Sequence, residues 1–304
     1  MPRSYAIYDV FTDTPLKGNP LAVVFDGEGL STEAMQAVAA EFALSETVFV
    51  LPAEGPAHAA RLRIFTPHHE LPFAGHPTVG TAVALAERRF GRESALDLVK
   101  VLEEQIGPVR CAVRLRPQAA SFAEFDLPRR SQKLAVNFDR QALADALGLP
   151  ASQIGFENHV AGLWSAGVPF VTVPVHDLAA AAAVEFDAAR WQKLAPMADG
   201  RLAAAYLYCR GGQNHQARFH VRMFAPEMGI AEDPATGGAL AAFSGTIQHF
   251  DQLPDGNHAF LVEQGVEMGR ASYLHLHIQV DAGLVAAARI GGAAVKIAEG
   301  TLFV

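Results

Sequence analysis

Gly18-Asn19-Pro20-Leu21-Ala22-Val23-Val24 and Gly167-Val168-Pro169-Phe170-Val171-Thr172-Val173 both read Gly-x-Pro followed by an apolar, strand-like run. The chain therefore contains an internal repeat, which decides the fold before any single motif does. A second pair follows in the same order: Arg63-Ile64-Phe65-Thr66-Pro67 and Arg222-Met223-Phe224-Ala225-Pro226. A third comes after it: His76-Pro77-Thr78-Val79-Gly80-Thr81-Ala82 beside Asp233-Pro234-Ala235-Thr236-Gly237-Gly238-Ala239. Ten residues separate Pro67 from Pro77 and eight separate Pro226 from Pro234, a difference that one short loop indel accounts for.

The segments between these pairs correspond as well. Ser31 to Ala43 has helical periodicity with Ser31 or Thr32 as N-cap, and Val184 to Leu194 takes the same place in the second half. Val48 to Leu51 and Ala205 to Tyr208 read as strands. After the third pair, Thr78 to Arg88 and Ala235 to Gln248 read as helices that are apolar nearly all round, and such helices must be buried. The expected fold is α+β: two pseudo-symmetric domains, each a curved sheet or open barrel around a central helix. The boundary falls near Leu127-Pro128-Arg129-Arg130-Ser131, giving domains 1–130 and 131–304. Asp139 to Leu147 is a helix closed by Gly148. The last segment, Ala293 to Val304, reads as strand around a Glu299-Gly300 turn and could pair back onto the first domain.

Composition narrows the function. The chain has 304 residues, 50% of them hydrophobic and 18% charged, as in an ordinary globular protein with two cores. No apolar run reaches membrane-span length and no basic leader precedes one, so no membrane partner and a cytoplasmic location are expected. The net charge of −8 and the lack of any basic run longer than two residues argue against nucleic acid. Cys111 and Cys209 are too few for a disulfide framework and sit in strand-like runs. No phosphate-binding glycine loop is present. His68-His69-Glu70 lacks helical zinc spacing and lies between Pro67 and Pro72, and His275 and His277 share one strand face, so no metal is expected.

His76-Pro77 and Asp233-Pro234 read as helix starts, with proline at the first helical position and the residue before it as N-cap. Open N–H groups at such a start suit a carboxylate, and the nearby Gly80, Gly237 and Gly238 allow close approach. Two such starts related by pseudo-symmetry are expected to grip a small acid from both sides of a cleft. Alone, each polar residue reads as a cap. His in one half and Asp in the other is, however, a usable acid–base set. Glu46, where a helix ends and an apolar strand begins, is the third candidate: no carboxylate takes its place in the second half, Asp199 being the nearest. Position alone also allows a solvent-facing Glu.

The strings around Gly18-Asn19-Pro20, Ser45-Glu46-Thr47-Val48-Phe49, Glu70-Leu71-Pro72-Phe73-Ala74-Gly75-His76-Pro77-Thr78 and Glu232-Asp233-Pro234-Ala235-Thr236-Gly237 resemble the phenazine-biosynthesis (PhzF-like) isomerase family, over nearly the whole chain. The resemblance implies the fold of diaminopimelate epimerase, a homodimer, and an isomerase that moves a proton in a small unsaturated carboxylic acid, of the dihydro-hydroxyanthranilate type, without metal or organic cofactor. It implies Glu46, His76 and Asp233 as catalytic. It places Asn19, Gly75, Pro77, Thr78, Pro234, Ala235, Thr236, Gly237 and Gly238 at the substrate. Two departures matter. The related epimerases use a cysteine from each half, whereas Cys111 and Cys209 lie far from these motifs. The best-known isomerase has Ser where this chain has Gly238, so a hydroxyl is missing unless Thr236, Ser244 or water replaces it. Two other readings stay open: a racemase or epimerase using Glu46 and Asp233 as its acid–base pair, and a non-catalytic binder on the same fold.

Overall fold

The computed structural model describes residues 2–304. The chain divides into two compact units, one formed by the residues up to Pro128 with Ile290–Val304 and the other by Arg129–Arg289. The expected range 131–304 is thus corrected at its end: the last strand leaves the second unit and returns to the first.

In unit 1 the strands are β1 (Pro2–Val10), β2 (Asn19–Val24), β3 (Glu46–Leu51), β4 (Ala60–Phe65), the short β5 (Glu70–Leu71), β6 (Leu96–Glu104), β7 (Gly107–Leu115) and β8 (Ser121–Asp126). Helix α1 (Thr32–Phe42) joins β2 to β3, and α2 (Gly75–Phe90) joins β5 to β6. Ser31 caps α1 by accepting from Ala34 N–H, and Ala43 in the left-handed region ends it. The sheet runs β1-β2-β3-β4-β6-β7-β8, with parallel pairs where a helix intervenes, between β2 and β3 and between β4 and β6. The returning strand pairs with both β8 and β1 and closes an eight-stranded barrel. Closure leaves no free edge. Every residue of α2 from Gly75 to Ala84 is buried, as an all-round apolar helix inside a barrel must be. Gly80 lets it sit close: a Cβ there would lie 2.5 Å from Leu21 Cδ2 and 2.7 Å from Val10 Cγ2.

Unit 2 repeats this plan. It contains β9 (Gln132–Leu134), α3 (Arg140–Leu147), β10 (Gly162–Ser165), β11 (Pro169–Pro174), α4 (Leu178–Ala182), α5 (Ala188–Leu194), the small hairpin β12 (Met197–Ala198) and β13 (Arg201–Leu202), β14 (Ala204–Arg210), β15 (Phe219–Ala225), β16 (Ile230–Asp233), α6 (Gly237–Asp251), β17 (Gly256–Gln264) and β18 (Ser272–Asp281). Strand β19 (Leu284–Phe303) begins here and ends in unit 1. The order β10-β11-β14-β15-β17-β18-β19 matches β1-β2-β3-β4-β6-β7-β8 strand for strand, and β9 adds to β10. The helix expected over Val184 to Leu194 begins later, as α5 at Ala188 capped by Asp187, and the Ala-rich run before it, which also reads as helix in sequence, is the short α4 capped by Asp177. The expected Glu299-Gly300 turn is absent: the strand runs on through Glu299 opposite Ala6 and absorbs its irregularity as a bulge beside Ile7 and Tyr8.

Register corrects the third repeat pair. Ile64 pairs with Leu71 in unit 1, and Met223 pairs with Asp233 in unit 2. Leu71-Pro72-Phe73-Ala74-Gly75-His76 therefore matches Asp233-Pro234-Ala235-Thr236-Gly237-Gly238, and both helices start at the glycine after Pro-x-x. The counterpart of Asp233 is Leu71, and the counterpart of His76 is Gly238. The stretch between Pro226 and Glu232 is three residues longer than that between Pro67 and Glu70, and a 3₁₀ turn at Pro226–Met228 takes up part of the extra length. That insertion hides the true register, so that the dipeptides His76-Pro77 and Asp233-Pro234 resemble each other although they occupy different places.

Gly265 follows β17 with φ +75°, and a Cβ there would lie 2.6 Å from the carbonyls of both Arg270 and Pro234. Neither backbone can yield cheaply. Gly265→Ala should lower unfolding free energy by about 1–3 kcal/mol, read by denaturant titration. An unchanged midpoint would contradict this packing of the Asp233-Pro234 segment.

Candidate active site

In unit 1 the structure brings Glu46 and His76 together. Glu46 is the first residue of β3, beside Leu21 of the parallel strand β2. It is 9% exposed, so the solvent-facing reading is excluded. His76 is 3% exposed, and its Nδ1 lies 3.5 Å from Glu46 Oε2. Burial pushes the imidazole pKa down to about 3, against an opposing pull from the Pro20 carbonyl. The ring is therefore neutral at physiological pH, and the contact is imidazole to carboxyl rather than an ion pair. Nε2 of His76 is buried with no hydrogen-bond partner among the described residues.

His76 is not an N-cap. Ala74 is the cap residue, Gly75 and His76 open α2, and Pro77 is its third residue. Proline is tolerated there because first-turn N–H groups have no intrahelical partner. The N–H groups of Gly75 and His76 belong to that unused set. Thr78 already bonds inward: its N–H donates to Ala74 O at 3.2 Å, and its hydroxyl lies 2.7 Å from Ala74 O and 2.7 Å from Glu104 Oε1. Its side chain is held within the fold rather than presented to a ligand. Asn19 opens β2 opposite Val10 and is fully buried.

In unit 2 the cap reading of Asp233 is likewise corrected. Asp233 ends β16, followed by a bend at Pro234 and by Ala235, and Thr236 is the residue that caps α6. Asp233 is 5% exposed and accepts from Thr236 Oγ1 at 2.5 Å. Gln264 clamps the segment: its Nε2 donates to Asp233 O at 2.8 Å and to Thr236 Oγ1 at 3.0 Å, and its Oε1 accepts from Thr236 N–H at 3.1 Å. Gly237, Gly238 and Ala239 supply the first-turn N–H groups of α6, since Leu240 N–H already bonds to Thr236 O. At Gly238 a Cβ would meet nothing nearer than Phe170 Cε2 at 4.0 Å. Neither proposed stand-in hydroxyl is available, because Thr236 donates to Asp233 and Ser244 donates to Ala241 O at 2.6 Å.

Sequence reasoning missed four contributors. Arg63 holds Glu70 through Nε at 2.7 Å and Nη2 at 2.6 Å, and Arg222 holds Glu232 through Nε at 2.8 Å and Nη2 at 2.9 Å. These matched bidentate pairs brace the segments leading into α2 and α6. Their arginines stood in the second repeat pair and their glutamates in the quoted motifs, so the spacing Arg-x₆-Glu beside Arg-x₉-Glu was the available signal. Gln264 and Tyr206 had none, since each lies on a strand remote from the motifs. The Tyr206 hydroxyl is buried with no hydrogen-bond partner among the described residues, and its pKa is raised by burial first and by Asp233 second. The thiols of Cys111 and Cys209 are both pushed up chiefly by burial, Cys209 to about 12, so neither is a ready thiolate.

Register also settles what faces Glu46 in the repeat. Leu21 pairs with Glu46 in unit 1 and Phe170 pairs with Ala204 in unit 2, so an alanine occupies the equivalent place.

Comparison with known proteins agrees with this architecture. Residues 8–300 match the family model described as phenazine biosynthesis-like protein. The chain is 55% identical over 303 residues to an uncharacterised isomerase of Mesorhizobium japonicum, covering 99% of each chain. It is 34% identical to the trans-2,3-dihydro-3-hydroxyanthranilate isomerase of Pseudomonas aeruginosa, covering 98% of this chain and 99% of that one. Among solved structures, the PhzF-family phenazine biosynthesis protein of Bacillus anthracis superposes with a TM-score of 0.87 at 26% identity over the whole of both chains. A hydroxyproline epimerase from Agrobacterium vitis, at 12% identity and a TM-score of 0.64, shares the fold. The family model over residues 8–300 and the whole-length relatives establish that the chain belongs to the phenazine biosynthesis-like protein family.

Proposed function

We propose that this protein is a cofactor-independent isomerase that moves a proton along a small, unsaturated carboxylic acid of the dihydro-hydroxyanthranilate type. The observation that carries the reading is the buried Glu46 carboxyl beside a neutral His76, with Ala204 at the equivalent place in unit 2. One carboxyl without a symmetric partner suits a reaction in which a single group both removes and returns the proton. The named Pseudomonas aeruginosa relative supports the substrate class.

In this mechanism Glu46 as carboxylate takes an allylic C–H proton, and the electron pair spreads over the conjugated system. The same group, now neutral, gives the proton to another carbon of that system, so the step is redox-neutral. His76 stays neutral throughout, and its Nε2 is the atom available for a polar substituent. Within unit 1 the N–H groups of Gly75 and His76 favour developing negative charge beside Glu46. Asn19 and Pro77 are assigned to the walls around the substrate in unit 1; in unit 2, Asp233, oriented by Thr236, is assigned to polar groups of a ligand at the start of α6, with Pro234 and Ala235 beside it. A homodimer and a cytoplasmic setting belong to the same proposal. The racemase alternative with Glu46 and Asp233 as a two-base pair has less support, because register gives Asp233 the place of Leu71 rather than that of Glu46.

Three measurements follow. Glu46→Gln should lower turnover of trans-2,3-dihydro-3-hydroxyanthranilate by about 10²–10⁴-fold while leaving the melting curve intact. Full activity in a folded Glu46→Gln protein would overturn the assignment. His76 should show no titration by nuclear magnetic resonance of its ring nitrogens from about pH 5 to about pH 8, because burial holds its pKa far below the usual value near 6.5. A midpoint within that range would contradict a neutral role. Gly238→Ser fits the open space at that position and should tighten binding of 3-hydroxyanthranilate by up to about 1.5–3 kcal/mol in calorimetry, through one added hydroxyl donor. Weaker binding would mean that the native ligand fills that space.

A further inference from the structure

Glu104 ends β6 in unit 1 and is 7% exposed. Its Oε1 lies 2.7 Å from Thr78 Oγ1, and that same hydroxyl oxygen lies 2.7 Å from the Ala74 carbonyl. A hydroxyl has one proton to donate, and a carbonyl can only accept. If Thr78 donates to Ala74 O, its contact with Glu104 needs a proton on the carboxyl. If Thr78 donates to Glu104 instead, two oxygen lone pairs face each other at Ala74. Both short contacts are satisfied together only when Glu104 is the donor.

The repeat supplies an independent comparison. Strand β6 runs parallel to β4 with Arg61 opposite Glu103, and β17 runs parallel to β15 with His220 opposite Glu263. Glu103 accepts the N–H groups of Glu54 at 2.8 Å and Gly55 at 2.7 Å, and Glu263 accepts those of Gln213 and Asn214, both at 2.8 Å. The next residues are therefore equivalent: Glu104 in unit 1 and Gln264 in unit 2. Gln264 holds the start of α6 by donating to Thr236 Oγ1 and Asp233 O. A neutral glutamic acid, like glutamine, has a donating arm; Glu104 uses Oε1 in this way, while its Oε2 is buried with no hydrogen-bond partner among the described residues.

We propose that Glu104 is kept as the neutral acid and is a positioning residue: it locks the first turn of α2, and His76 with it, as Gln264 locks the segment bearing Asp233. Thr78 lies two residues from His76 on the same turn, so a hydrogen bond to its hydroxyl fixes the backbone that aims the imidazole at Glu46. Burial raises the Glu104 pKa to about 8, with the Thr78 contact opposing it. Around it, α2 contributes Thr78, and β7 contributes Cys111, whose thiol is raised by burial first and by Glu104 second. The nearby charges are engaged elsewhere: Arg110 of β7 pairs with Asp126 of β8 at 3.1 Å, and Arg61 of β4 pairs with Glu54 at 3.1 Å. No cation contacts the Glu104 carboxyl among the described residues.

The sign of the pH effect follows. In the unfolded chain a glutamate loses its proton near pH ~4.3, whereas folded Glu104 keeps it to about 8. The folded state binds the extra proton across that window, so the stability contributed by this group falls as pH rises through it and levels off above. Ionisation also leaves the carboxylate able only to accept, so Thr78 must turn away from Ala74 and the first turn loosens.

This inference rests on the reading of Glu46 and His76 as the reacting pair, so its test includes arms that need no turnover. Infrared spectra of the full-length protein near neutral pH should contain a protonated-carboxyl band that fades as pH rises through about 8 and is missing in Glu104→Gln. The melting temperature of Glu104→Gln should decline less steeply than that of the wild type between about pH 5 and about pH 8. With trans-2,3-dihydro-3-hydroxyanthranilate, Glu104→Gln should keep kcat within about twofold at neutral pH, since the number of hydrogen bonds is preserved, and should lose the wild-type alkaline fall in kcat with KM little changed. A missing carboxyl band, or its persistence in Glu104→Gln, overturns the proposal, as does an unchanged alkaline limb. If neither protein turns the compound over, the functional reading fails, and the infrared and melting arms still decide the state of Glu104.

Discussion

A helix that is apolar on all sides can exist in water only if something encloses it. In each unit that helix is α2 or α6, and the sheet curves round it because no other element is large enough to cover it. Enclosure fixes where polar chemistry can enter. Along the helix interior every backbone group is used, but the first turn has N–H groups without intrahelical partners. The helix start is thus a polar opening into the core, where the structure places His76 in one unit and Gly237-Gly238 in the other.

Around that opening the fold places several bidentate and buried polar interactions. Bidentate Arg63–Glu70 and Arg222–Glu232 pairs brace the incoming segments, and Glu104 and Gln264 hold the starts of α2 and α6 from the sheet. The same scaffold then carries different side chains on its two copies. Glu46 and His76 stand where the second unit has Ala204 and Gly238, so the duplicated frame keeps its supports and differs at the residues to which we assign the chemistry.

Much of this was legible in sequence, for identifiable reasons. The barrel-and-helix plan followed from the repeat and from helices too apolar to be exposed. Glu46 was visible because an isolated charge at the mouth of an apolar strand is costly. The helix starts were not legible, because His76-Pro77 and Asp233-Pro234 look alike as dipeptides. The pattern that aligns is Glu-x-Pro-x-x-Gly, and a three-residue insertion before Glu232 concealed it. Gln264, Glu104 and Tyr206 were illegible since their partners lie far off in the chain, and only strand pairing brings them together. The return of β19 to unit 1 was foreseen only as an option, because strand character carries no address.

The central claim is that one carboxyl, Glu46, carries the proton between two carbons. Its most direct test is isotope transfer. Substrate deuterated at the allylic carbon, trans-2,3-dihydro-3-hydroxyanthranilate, would be converted in ordinary water under single-turnover conditions and the product read by mass spectrometry. A single buried shuttle predicts that a measurable share of the deuterium reappears at the new carbon. Complete replacement of that deuterium by solvent hydrogen, at the shortest times, would contradict the account and favour two separate bases.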